Sequence, residues 1–379
     1  MSAEGGAATA KPGPVGWPAD IAPLRGLRFI ALAWVVLNQF RLHLGLHAGA
    51  SFGIVGKGYL GAALFFVVAG FEICHAYVRL RAEGRFRYPA FLWLGLIGFY
   101  PLHLIALAVM GALFVAGRAL GAGFQQSAFD PIAVPANLLL IHAWGVLPTV
   151  SWNFPSWLVS ALWFALLIFP LTAWLALKVL RPTLIAVAAP LALFWALFAA
   201  AAWRGVLFTD MTAQIGALQT VPAFLFGAAL YRLGGERSLP GPWPGALALG
   251  AGAYILIAAT FRFSDAAIWP AFGVLTFAVA QTARSARRPL LASRAFQFLG
   301  AMSISMYLVY LPVDIVYFHA IERFLGQPTG TAAWAAWWGV FPLILVAGAL
   351  AWLLITRPAA TWLQRHGPAA ARPDPPLLA

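Results

Sequence analysis

The chain has 379 residues, 62% of them hydrophobic and only 9% charged, with a mean hydropathy of +0.84; an ordinary soluble domain carries about 25% charged residues to cover its surface, so a soluble globular protein is excluded and an all-α integral membrane protein is implied. One cysteine, Cys74, leaves no disulfide framework and no cysteine-based metal site. The net charge of +13 is spread among short loops, which fits positive-inside topology and not a nucleic-acid surface.

Residues 1–22 are rich in Gly, Ala and Pro and read as a disordered cytoplasmic tail. Ala48-Gly49-Ala50 resembles a signal cleavage site, but arginines sit within the apolar flank before it, so the first segment reads as a retained anchor. A span needs roughly 20 apolar residues. About ten such transmembrane helices follow, near 26–46, 58–78, 94–117, 155–177, 183–203, 214–231, 244–261, 266–283, 296–320 and 332–355.

The stretch 132–148 is short and broken by Pro131, Pro135 and Pro148, and reads as external or re-entrant. Leaving it out of the count places only Arg41, Lys57, Arg118, Arg204, Arg262 and Arg323 outside, with the other basic residues and both termini inside. The organisation expected is a tail over 1–22, a membrane domain over 23–358 and a cytoplasmic tail over 359–379.

Titratable groups inside a span cost roughly 2.5–3.5 kcal/mol each on insertion scales, so every one is a site candidate. Glu72 and Asp314 are the carboxylates within spans; His75 and His103 fall in the inner parts of spans, while His43, His47, His142 and His319 lie nearer the outer side. Glu72 and His75 share a helix face at an i, i+3 spacing. With Arg28 and His103 they are expected to form one polar cluster facing the cytoplasm, either as a helix-locking ion pair or as a proton-handling site. Gln39 follows Arg28 by eleven residues, about 16 Å along a helix, near the midplane. Two histidines and one carboxylate without fixed spacing are a weak metal signal, and no metal is expected. Most tryptophans read as interface anchors, whereas Trp152, Asn153 and Trp157 lie where a sugar ring has room to stack.

Landmarks in order along the chain resemble the acyltransferase-3 family. They are Leu27 to Leu37, Leu64 to Phe71 (LFFVVAGF), Phe99-Tyr100-Pro101, Trp152 to Trp157 (WNFPSW) with Ser160 and Trp163, then Gly300, Ser303, Ser305, Tyr307-Leu308 and Arg357-Pro358. The resemblance implies a multi-pass enzyme of the bacterial inner membrane, with acyl-CoA as co-substrate and no bound cofactor. Such enzymes pass the acyl group, often acetyl, to a hydroxyl of an envelope glycan. For an enzyme of this kind with a rearranged site, Glu72 and His75 are expected to supply acid–base work and Arg28, His103, Arg85 and Arg87 to hold the donor, with Trp152, Asn153 and Trp157 at the outer end of a span for the acceptor.

Against the family pattern many polar positions are replaced. The family histidine stands at Gln39, and an amide takes up no proton near neutral pH. The paired arginines before Tyr100-Pro101 align with Gly95 and Gly98; expected acids fall at Ala63, Leu162, Ala301 and Thr356; a serine falls at Ala69 and a histidine at Tyr310. Three functions therefore stand open: an acyltransferase with a relocated site, a catalytically inactive relative partnering an active acyltransferase or a glycan-assembly machine, and a transporter of a lipid-linked sugar or solute.

Overall fold

The computed structural model describes residues 16–44, 53–119, 121, 126–149, 151–210, 212–285, 288–368 and 377–378; His47 lies outside them. Among the described residues there is no strand. The helices are α1 (Pro23–Gln39), α2 (Gly53–Gly56), α3 (Gly61–Ala82), α4 (Tyr88–Leu96), α5 (Tyr100–Ala119), α6 (Val134–Leu138), α7 (Trp157–Trp174), α8 (Thr183–Trp203), α9 (Thr212–Glu236), α10 (Trp243–Thr260), α11 (Asp265–Thr282), α12 (Arg294–Leu325), α13 (Gly330–Ala351) and α14 (Arg357–His366). Proline opens several of them, at Pro23, Pro89, Pro244 and Pro358, where its missing N–H leaves no intrahelical bond unmade.

Each expected apolar segment falls on a helix. Seven of these, α3, α5, α7, α8, α10, α12 and α13 with their flanking turns, are long and apolar enough to cross a membrane. α1 is only 17 residues and continues as a tighter 3-10 turn over Phe40–Leu44. The stretch 132–148 forms no long helix; α6 is five residues, followed by turns.

α3 is the central helix, with Leu64 to Phe71 wholly buried. It lies against α9 at a separation that only glycine permits: a Cβ on Gly70 would sit 2.7 Å from the Phe224 backbone, and one on Gly227 would collide with Val67 and Phe71. Small residues at such crossings let helix backbones approach where lipid offers no hydrophobic drive.

The expectation of a disordered tail at the start of the chain is corrected from residue 16 onward. Trp17 is 1% exposed, donates its Nε1 hydrogen to the Tyr231 carbonyl at 3.0 Å and lies under the Arg284 guanidinium at 4.0 Å. Residues 16–22 therefore belong to the packed body and not to a disordered tail. At the other end helix continues through α14 past residue 358. The apolar segment expected over 94–117 is two helices, because Gly95, Gly98 and Pro101 weaken the helix between α4 and α5.

Candidate functional site

The bundle has two polar ends. At the end where α1 and α12 begin, Arg28 is buried, its Nη1 donates to Glu72 Oε2 at 3.1 Å, and its Nη2 donates to the Gly300 carbonyl at 3.1 Å. His75 is turned from Glu72 to the Ala19 carbonyl, 3.1 Å from its Nε2. Arg28 and Glu72 thus pair, His75 bonds instead to the N-terminal segment, and each is engaged in a bond that ties helices or that segment together. Arg85 donates to Glu83 at 2.8 Å, and Arg87 is exposed where α4 begins; neither joins the Arg28 cluster through those bonds.

His103 departs from the expected cluster. Because α5 begins only at Tyr100, His103 stands in its first turn, where its Nε2 donates to the Asn137 carbonyl at 3.0 Å. Its ring stacks 6.1 Å from His142. The surrounding stitches explain how a proline-broken segment is held. Its carbonyls at Leu138 and Leu140 accept from Tyr100 and Ser160, and the Ala143 carbonyl accepts from the Ala217 N–H. Irregular backbone at membrane depth persists only where protein satisfies its polar groups in this way. Ser156 spends its hydroxyl hydrogen on the Asn153 carbonyl at 2.7 Å, so at 3.0 Å His142 Nε2 is the donor to Ser156 Oγ. Burial, then the neighbouring His103, pushes His142 down to about 4.

Beside Gly300 a pocket of about 210 Å³ opens between the α4–α5 link, α12 and the α13–α14 junction. It collects Gly98, Ala301 and Thr356, three of the positions at which the landmarks lead one to expect charged side chains, together with Ser305 and Arg357. Ser305 Oγ and Thr356 Oγ1 are 2.9 Å apart, and Thr356 closes a π-turn, a distortion common at functional sites. Gly95 is not in this lining; a Cβ there would sit 2.6 Å from Leu166 Cδ1, so a side chain at 95 would require Leu166 to shift.

At the opposite end, where α1 finishes, a cavity of about 410 Å³ is lined by Gln39, Arg41, Lys57, Trp157 and Arg262 among others. Asn38 shapes it by donating to the Val55 and Gly56 carbonyls at 2.8 and 3.1 Å, which fastens α2 to α1. Among the described residues neither a carboxylate nor an imidazole lines it. Of the three residues expected for an acceptor, Trp157 lines this cavity. Asn153 is buried and donates to the Leu308 carbonyl at 3.1 Å. Trp152 has a left-handed backbone, φ 62°, and donates to the Asp130 carbonyl at 2.8 Å.

Two arrangements escaped the sequence reading. Arg41, Lys57 and Arg262, distant in sequence, converge on one cavity. His43, one turn beyond Gln39, places Nε2 2.9 Å from Asp314 Oδ1 on α12 and stacks on Phe318 at 3.5 Å. The available signal was the small number of basic residues assigned to the outer side, three of which are these.

The comparisons with known proteins agree with the landmarks. The acyltransferase-3 family model, described as an acyltransferase domain, matches residues 21–356. Over 145 residues the chain is 30% identical to "Protein 2 in picA locus" of Rhizobium radiobacter, a match covering 37% of this chain and 72% of that protein. No solved structure matches. A match that begins at the packed N-terminal segment and ends in the π-turn before α14 takes in the whole lining of the Gln39 cavity and, of the other pocket, the side from Gly98 to Thr356, and the chain belongs to the acyltransferase-3 family.

Proposed function

We propose that this protein serves O-acylation of an envelope carbohydrate at the bacterial inner membrane as a binding member of the family that does not itself carry out the transfer. In this reading the chain crosses ten times with both termini cytoplasmic. The Ser305–Thr356–Arg357 pocket faces the acyl-CoA donor, and the Gln39 cavity faces the carbohydrate acceptor and an active acyltransferase partner. The observation that carries it is the lining of that cavity: among the described residues it offers amides, an indole and cations, which bind a sugar, but no group able to accept its hydroxyl proton near neutral pH. Gly98, Ala301 and Thr356 in the other pocket likewise supply none of the family's charged groups there.

One observation favours a second reading, in which transfer persists through a different base. His43 oriented by Asp314 at 2.9 Å has the base-and-orienter geometry of general base catalysis.

The test uses purified protein in lipid nanodiscs with acetyl-CoA labelled on the acetyl group, following bound and released label together. The expected result is saturable binding, weakened about tenfold by Arg357→Gln, with label release at the protein-free background. Release that disappears in His43→Ala would establish the second reading. Release that disappears in Glu72→Ala or His75→Ala would establish a relocated site at the α1-start end. Absence of donor binding would overturn the donor pocket.

A further inference from the structure

Basic residues are disfavoured on the outer side of an inner-membrane protein, and this chain assigns few of them there. Three, Arg41, Lys57 and Arg262, line the Gln39 cavity. Behind this lining Asp265 is 2% exposed and is already satisfied: it pairs with Lys57 and accepts from Tyr59 at 2.9 Å and Thr209 at 2.6 Å. Arg41 is held in place by the Asn38 carbonyl and Oδ1 at 3.0 and 2.9 Å, through one terminal nitrogen, and no carboxylate pairs with it among the described residues.

Arg262 is placed at a cost. It stands just past the end of α10, where the Phe263 N–H bonds to the Ala258 carbonyl at 2.8 Å and the Arg262 N–H to the Ala259 carbonyl at 3.2 Å. This crossed pair closes a helix through one left-handed residue, usually glycine. Here the residue is arginine, with φ 56°, and its side chain lines the cavity. A strained backbone that delivers a charged side chain into a cavity points to use of that side chain.

We infer that the Gln39 cavity recognises a negatively charged group, a carboxylate or phosphate, on the molecule that enters it. This deepens the acceptor side of the proposed function, narrowing the carbohydrate to an anionic one, and it needs no acyl transfer. A cavity lined by cations with one buried carboxylate behind it concentrates anions. Trp157 in the same lining offers an apolar face to a ring carrying the charge. The charged group comes from an acidic sugar or from the head group of an anionic lipid; the chemistry of recognition is the same.

The test is equilibrium binding to the full-length protein in nanodiscs of neutral lipid. The probes are β-1,4-linked trimannuronate, its uncharged methyl ester, and short-chain dihexanoyl phosphatidic acid. The expected result is that trimannuronate binds at least tenfold more tightly than the ester. Arg41→Gln should remove about tenfold of that preference and Arg41→Lys should keep most of it, with binding weakening between 50 and 500 mM salt on the order expected of screening. Tight binding of phosphatidic acid alone, with the same response to Arg41→Gln, supports the inference with a lipid as the source. Equal binding of acid and ester, or binding untouched by Arg41→Gln, overturns it, as does failure of both anionic probes to bind protein that melts cooperatively. A chain that binds trimannuronate in this way yet neither binds nor consumes acetyl-CoA would overturn the donor pocket and leave this inference standing.

Discussion

Arg28 carries the strongest single constraint in the molecule. Its guanidinium is 1% exposed and divided between Glu72 and the Gly300 carbonyl. Removing one partner of a buried pair leaves an uncompensated charge, at about 3–5 kcal/mol. Glu72→Ala should therefore lower the thermal midpoint sharply, with Glu72→Gln intermediate because the amide oxygen still accepts. If Glu72→Ala melts like wild type while acetyl-CoA binding disappears, the pair serves the ligand and not the fold. Arg262 gives the opposite expectation. Relieving a left-handed non-glycine residue is worth about 1 kcal/mol, so Arg262→Gly should melt at or above the wild-type temperature while binding of trimannuronate weakens. A melt well below wild type would show that the arginine is there for stability.

Among the elements, the segment between α5 and α7 departs most from a simple bundle. The prolines at 131, 135 and 148 announce that it is no span, and the short α6 followed by turns agrees. What the sequence does not announce is its partners. His103 looks like a group at the inner end of one long helix until the break before Tyr100 is known, and Gly95, Gly98 and Pro101 mark that break only weakly. The segment also carries a pH dependence. With the folded His142 pushed down to about 4 from 6.5 by burial, neither state is protonated there above pH 6.5. Between 6.5 and about 4 only the unfolded chain takes up the proton, so stability falls with acidification by about 1.4 kcal/mol per pH unit, roughly 3 kcal/mol in all. His142→Gln should flatten the acid limb of a melting-temperature profile over that window; an unchanged limb would mean that other groups carry it.

At the scale of the whole molecule, periodicity and charge already locate the helices, because every apolar segment expected from composition falls on one. The packed start of the chain is not legible in the sequence for a physical reason: Trp17 is a single apolar residue in a stretch of Gly, Ala and Pro, and one residue makes no periodic signal. The cationic cavity was equally invisible, since Arg41, Lys57 and Arg262 each look like an isolated loop charge until α1, α2 and α10 bring them together. Topology is testable directly. Ser238 and Gln327 are both exposed, and the ten-span arrangement places them on opposite sides. A membrane-impermeant maleimide should label Gln327→Cys but not Ser238→Cys in intact spheroplasts; the reverse pattern would invert the molecule.

The central claim is that the scaffold and its two pockets persist while the proton acceptor at position 39 is gone. The most direct measurement is the rate of acetyl release from labelled acetyl-CoA by wild type and by Gln39→His, side by side in nanodiscs with trimannuronate present. The account predicts release at background for wild type, and a Gln39→His protein that folds and melts within a few degrees of it. Release by wild type that Gln39→His abolishes would contradict the account, because the glutamine itself would then be part of a working site.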